Sequence, residues 1–334
     1  MRREVERPYW LRVLIALGKA AAYLALFLGW QMAVGVAYST SLTTELMLAN
    51  PTLDYYALYD LVYDAYLAKT MEISLISGLL TLVSVVLFFK VRRRSLRQEL
   101  WLRPVRGRLL GWCAALAFCL YWLVTIVLSM LPEAWLEDYL AAAEGLDQTG
   151  VIAFLAAAIV APIVEEVIFR GLILTRLNRV MSGWLAVAVA AAIFGLCHGQ
   201  FIWFCYAFVL GLIFGYITRS TVSILHAMLM HLVFNATNEL MMLAGEWEPG
   251  VIGWLVIFAV AIVGTAFCAL RVRSTISSMP VPFVRSERPA QIEENAVIIE
   301  APPLEEHPHP GQRPAAAMWD ADSGPNHRFP PNRM

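Results

Sequence analysis

The chain predicts an all-α polytopic membrane protein of about eight transmembrane helices with a disordered, Pro-rich C-terminal tail. Three observations carry this. Of 334 residues, 59% are hydrophobic and only 15% are charged, where soluble domains hold about 25% charged residues, and the mean hydropathy is +0.63. Apolar stretches close to the roughly 20 residues that cross a bilayer core as helix recur along the chain. The loops between them alternate between basic and acidic. The net charge of −1 gives no electrostatic ground for a nucleic-acid partner.

The stretches run approximately over 11–37, 72–90, 107–130, 150–169, 183–198, 201–218, 222–244 and 251–270. The first resembles a signal peptide, but its apolar run is too long, Lys19 interrupts it and no small-x-small site follows, so it reads as a retained membrane helix. The loop "KVRRRSLRQELWLRPVRGR" joins the second and third stretches and is strongly basic, whereas "LPEAWLEDYLAAAEGLDQTG" has no Lys or Arg. Arg170, Arg176 and Arg179 follow the fourth stretch, Arg219 the sixth, Arg271 and Arg273 the eighth. This alternation predicts a multi-pass protein with both termini cytoplasmic. The fifth and sixth stretches are short and nearly continuous, which predicts a tight helical hairpin. The five cysteines lie in apolar runs without a CxxC pair, so they read as small buried hydrophobes.

From about residue 274 the composition changes. Eleven of the 17 prolines lie there, in fragments such as "PPLEEHPHPG", and such a segment cannot bury enough apolar surface to fold alone. His307 and His309 read as part of this solvated tail. The organisation is therefore N-terminal membrane helices with the basic loop (1–106), a membrane core (107–273) and a disordered cytoplasmic tail (274–334).

The chemistry concentrates in four stretches. Glu165, Glu166, Arg170, His198, His226, His231 and Glu239 all fall in stretches four to seven. Ionisable groups in a bilayer cost about 2.5–3.5 kcal/mol each on insertion scales, so they face inward and pair. The expected product is one polar cavity among these helices. Glu166 and Arg170 stand four apart, the favourable order for an ion pair, while Glu165 lies about 100° around the helix and can face the cavity. His231 with Asn235, and Phe194 with His198, also share faces at a spacing of four. Counting residues separates Glu165 and His198 in depth by roughly 10 Å, which tilted helices have to remove. His226 lies about 140° from His231, away from the same face. Glu239 continues the His231 and Asn235 face toward the outer interface.

These residue types suit amide hydrolysis. Glu165 can take a proton from water, His198 can hold that water, and His231 with Asn235 can donate to an oxyanion. There is no HExxH, nor a plausible serine or cysteine nucleophile with a base at fixed helical spacing. Glu165, His198 and His231 are also ligand types that zinc accepts, but direct water activation ranks first, with no cofactor. Phe194 shapes the pocket.

"EEVIFR", "FGLCH" and "HLVFN" fit EExxxR, FxxxH and HxxxN in order, and this set resembles the CPBP (ABI) family. That family holds the type II CAAX prenyl endopeptidases and bacteriocin-processing or immunity relatives. The resemblance covers about residues 107–244. It implies an eight-helix intramembrane glutamate protease in which Glu165 and His198 activate water, His231 and Asn235 form the oxyanion hole, and Glu166 and Arg170 support the site. It implies a membrane-associated peptide or protein substrate, prenylated or not. Two other classes stay open: a non-catalytic immunity or scaffold protein, and a proton-coupled transporter using the Glu/His cluster, although the inverted symmetry common in transporters is not evident.

Overall fold

The computed structural model describes residues 8–144, 149–245 and 249–279. All belong to one of two units, Met1–Arg288; the other, Pro289–Met334, lies outside the described residues. So does nearly all of the segment 274–334 for which the sequence predicts disorder, His307 and His309 included. The regular elements among the described residues are all helices, and none is a strand.

Helix α1, Tyr9–Ala49, has 41 residues and a length of about 60 Å, twice the bilayer core. It runs past its predicted end because Thr40, Thr43 and Thr44 return their hydroxyls to the carbonyls of Val36, Ser39 and Thr40, so polar residues continue the helix. Two short helices escape a search for spans. They are α2, Tyr55–Leu67, capped by the Asp54 side chain, and α6, Glu133–Glu144. Both are too polar to cross a membrane. The others are α3, Thr70–Val91, α4, Leu96–Glu99 in the basic loop, and α5, Gly107–Ser129.

Helix α7 runs over Val151–Leu177, past the predicted end at 169, because Arg170 is buried and paired inside the protein. Two of its stretches, Phe154–Val160 and Glu166–Leu174, wind as π-helix. Such stretches are rare and favour functional positions.

Helices α8, Gly183–Leu196, and α9, Phe201–Thr221, form the expected hairpin around a turn at Gly199, φ +73°. They pack closely: a Cβ on Gly215 would sit 2.9 Å from Val187 Cγ1, and one on Gly211 3.0 Å from the Ala191 Cβ. Small residues allow this approach between membrane helices. The turn into α10, Ile224–Ala244, is pinned to the basic loop, since Ser223 Oγ donates to the Arg103 carbonyl at 3.0 Å. Helix α11, Gly250–Ser277, closes the described chain.

Six helices are long and apolar enough to cross a membrane among the described residues: α1, α3, α5, α7, α9 and α11. The sequence predicts eight. Helix α8 has 14 residues, roughly 21 Å, too short for the core. Helix α10 carries His226, His231, Asn235, Asn238 and Glu239, which lower its hydropathy. The two helices that separate eight from six are thus both helices of the polar cluster. One apolar cluster joins α1, α3, α7 and α8 around Phe169 and Leu172. A second joins α5, α9, α10 and α11 around Phe214 and Met230. Helix α7 packs on α10 between them.

Cys113 and Cys268 are buried as expected and all five cysteines are free. Cys205 departs from the expectation and is exposed, because its face of α9 turns outward.

Candidate active site

Helix α7 delivers two adjacent carboxylates to different surroundings. Glu166 is fully buried, with Oε1 2.9 Å from Arg170 Nη1. Arg170 is itself only 2% exposed, and its guanidinium lies over the Phe194 ring at 4.3 Å and the Phe214 ring at 5.4 Å. An unpaired ion could not persist there; a planar cation between a carboxylate and two aromatic faces can. Glu165, 21% exposed at its side chain, instead lines a cavity of about 590 Å³.

His231 of α10 bridges the two acids. Its Nδ1 stands 3.0 Å from Glu166 Oε1 and its Nε2 3.6 Å from Glu165 Oε2. The buried carboxylate can only accept, so Nδ1 is the donor of that bond, and Nε2 is the atom left toward Glu165.

His198 follows α8 in the turn before α9. Glu165 and His198 line the same cavity. The depth difference of roughly 10 Å expected from counting does not keep the two side chains from one cavity. His198 Nδ1 lies 2.9 Å from the Phe194 carbonyl oxygen. A carbonyl only accepts, so Nδ1 carries the hydrogen and Nε2 of the neutral ring is an acceptor.

Phe194 therefore does more than fill space. Its carbonyl sets the His198 tautomer, and its ring meets His198 edge-on at 4.9 Å and His231 at 5.9 Å while covering Arg170.

Asn235 reaches the cavity through a backbone irregularity. In the first π stretch, the Ala161 N–H bonds to the Ala156 carbonyl, five residues back. The same register would pair the Ala157 carbonyl with residue 162, which is Pro162 and has no N–H. Asn235 Nδ2 donates to the Ala157 carbonyl instead, at 2.9 Å. An amide nitrogen carries two hydrogens, so one remains available.

The sequence-predicted residues Glu165, Phe194, His198, His231 and Asn235 all line this cavity, with Glu166 and Arg170 behind its wall. Glu239, placed by the sequence near the outer interface, also lines it and is 7% exposed, because the α10 face continues inward. His226 does not line it; the ring is 1% exposed in apolar packing. Tyr139, Trp203 and Tyr206 line the cavity too and were not foreseen. Tyr139 and Trp203 meet edge-on at 5.6 Å, which joins α6 to α9 at the cavity. Trp203 and Tyr206 sit in an apolar run that carries no signal, and Tyr139 sits in a loop helix.

No three His, Cys, Asp or Glu side chains converge on one point among the described residues in a way that would hold a metal ion. Glu165 and His231 meet, but with His198 they do not form a set of three ligands.

Residues 147–237 match the family of Rce1-like type II CAAX prenyl endopeptidases. No curated protein and no solved structure matches the chain. The matched segment includes α7 to the site residues of α10 and is narrower than the resemblance read from the motifs, leaving α5 outside. Glu165, His198, His231 and Asn235 all fall inside it. Residues 147–237, which carry all four of these side chains, are thus similar to an Rce1-like domain of type II CAAX prenyl endopeptidases.

Proposed function

We propose that this protein hydrolyses a peptide bond at the membrane, with Glu165 as the general base. The reading rests above all on one observation: of two neighbouring carboxylates, one is consumed by Arg170 while the other faces a cavity shared with two imidazoles and a carboxamide. In the proposed reaction, Glu165 takes a proton from a water molecule held by His198 Nε2. The water oxygen bonds to the scissile carbonyl carbon. The second Asn235 N–H donates to the oxyanion, joined by His231 Nε2–H when that ring is the imidazolium, the form that carries hydrogens on both nitrogens. Collapse breaks the C–N bond, and the proton on Glu165 passes to the leaving amine. Positioned general bases contribute about 10²–10⁴-fold and single oxyanion donors about 10²–10³-fold.

The substrate is a membrane-associated peptide or protein. A second cavity of about 700 Å³, walled by apolar residues of α5 and α9, shares Tyr206 and Leu210 with the first. It offers room for an apolar anchor, such as a prenyl chain or an unwound segment, beside the scissile bond. Both termini lie on the cytoplasmic side in this reading, on the strength of the Lys and Arg distribution.

The test is comparative peptidomics of membranes carrying the wild-type protein or Glu165→Gln. A cleavage product present only with the wild type is expected. Identical profiles from membranes with equal amounts of both proteins, or full biological activity in Glu165→Ala, would overturn the enzyme reading in favour of a scaffold. Uptake driven by a proton gradient in proteoliposomes would favour a transporter.

A further inference from the structure

A second charged cavity, of about 430 Å³, lies away from the catalytic wall, between α1, α3 and the end of α7. Five cations line it: Lys19, Arg92, Arg94, Arg176 and Arg179. They face a single carboxylate, Glu99, so the lining carries an excess of four positive charges. Burial pushes the Glu99 carboxyl up, but the hydrogen bond from Arg94 and the charges of Arg176, Arg179 and Arg94 outweigh it and hold the group below the usual carboxylate range. Arg176 is the fixed member. Its Nη2 is 2.6 Å from Glu99 Oε2, its Nη1 donates to the Glu99 carbonyl at 2.9 Å, and it is 6% exposed. Lys19 and Arg92 reach the cavity from exposed positions on α1 and after α3.

The remaining walls are apolar and lie deeper. Leu26 is seven residues beyond Lys19 and Val85 seven before Arg92, each roughly 10 Å further along its helix. Phe88 and Leu172 also contribute. The cavity therefore presents cations at the end where α1 begins and α3 stops, and hydrocarbon below them. A loop that merely obeys the charge asymmetry of membrane proteins needs no such recess. Basic recesses between membrane helices suit anionic head groups.

We propose that this cavity binds the head group of an anionic phospholipid, with an acyl chain along the α1/α3 wall. The phosphate meets Lys19, Arg92 and Arg179, while Arg176 and Glu99 hold the floor. The site is independent of the proposed proteolysis, since none of its residues touches the catalytic cavity. Leu172 and Arg176 belong to the helix that carries Glu165, so the lipid fastens the far end of that helix.

The experiment is native mass spectrometry of the full chain, purified in detergent and offered dioleoyl phosphatidylglycerol or dioleoyl phosphatidylcholine. The wild type should retain one phosphatidylglycerol in at least about tenfold preference over phosphatidylcholine. A surface-bound cation contributes roughly fivefold to such binding, so Lys19→Gln with Arg92→Gln should remove most of that preference. Both residues are exposed, and an unfolding midpoint equal to wild type in phosphatidylcholine confirms that the variant is folded. Arg106→Gln with Arg108→Gln removes two cations of the same basic loop outside the cavity and should leave retention unchanged. Equal retention of both lipids, or equal loss in the two double variants, would overturn the proposal. So would inorganic phosphate raising the unfolding midpoint as much as phosphatidylglycerol does, because the apolar wall would then be irrelevant.

Discussion

Helices α7 and α11 are both long and apolar enough to cross a membrane. Helix α11 buries Ala261, Cys268 and Val272 along 28 residues and leaves most of its side chains outward. Helix α7 buries every residue from Glu166 to Leu177. The first helix turns most of its apolar side chains away from the protein, where they have nothing to specify. The second is covered by protein on all sides over that stretch, so each polar group there has to find a partner. Glu166 finds Arg170 and His231, Thr175 returns to the Gly171 carbonyl, and the Ala157 carbonyl finds Asn235. Hydropathy makes the two helices equals; burial of polar groups separates a fastening helix from a working one.

The largest effect that distinguishes them is chemical. Glu165→Gln keeps the shape of the side chain and removes the proposed base. Product formation should fall by about 10³-fold, with the unfolding midpoint in detergent close to wild type, since this carboxylate has a cavity beside it. Activity within tenfold of wild type would show that Glu165 is not the base.

Much of the site was legible because its residues are costly in a bilayer and because three pairs repeat a spacing of four. The ion pair Glu166–Arg170, the cavity-facing Glu165 and the cluster of Glu165, His198, His231 and Asn235 all follow from these two facts. What was not legible depends on backbone register. The Asn235 bond to Ala157 exists because a π stretch meets Pro162, and spacing rules assume an α-helix. The role of the Phe194 carbonyl in fixing His198 needs the turn after α8, whose early end could not be placed by counting apolar residues. Tyr139 was missed because α6 is too polar to read as a membrane element, and the expected eight spans exceed the six long apolar helices because α8 is short and α10 is made polar by the site itself.

The second effect is on stability. Arg170→Met leaves Glu166 ionised with its cation gone, inside protein on every side. Removing one partner of a buried pair costs about 3–5 kcal/mol, read as a lower denaturation midpoint in detergent. Adding Glu166→Gln to Arg170→Met should recover a large part of the loss, because the stranded charge disappears with it. If the double variant is no better than the single one, the pair is held by the aromatic faces of Phe194 and Phe214, not by charge.

Asn235→Leu sits lower on both scales. It strands the Ala157 carbonyl, at about 1–3 kcal/mol, and removes an oxyanion donor, at about 10²–10³-fold in turnover. Asn235→Asp keeps an acceptor but no donor, so it should fail at both tasks. A variant that loses activity while the midpoint stays at wild type would assign Asn235 to the reaction alone.

The smallest effect belongs to α11. Val263→Ala removes two methyl groups from a side chain that is 67% exposed. In a bilayer those methyls exchange one hydrocarbon neighbour for another, since lipid tails are as apolar as the side chain itself. The midpoint should shift by no more than about 0.5 kcal/mol equivalent. Ile168→Ala on α7 removes a side chain with no exposure at all and leaves a cavity that nothing fills, so it should cost about 2–5 kcal/mol. The pair of measurements carries the contrast between the helices without touching a polar atom. Should the two substitutions cost the same, α11 is covered by something other than lipid, and a second protein surface on that helix becomes the simplest reason.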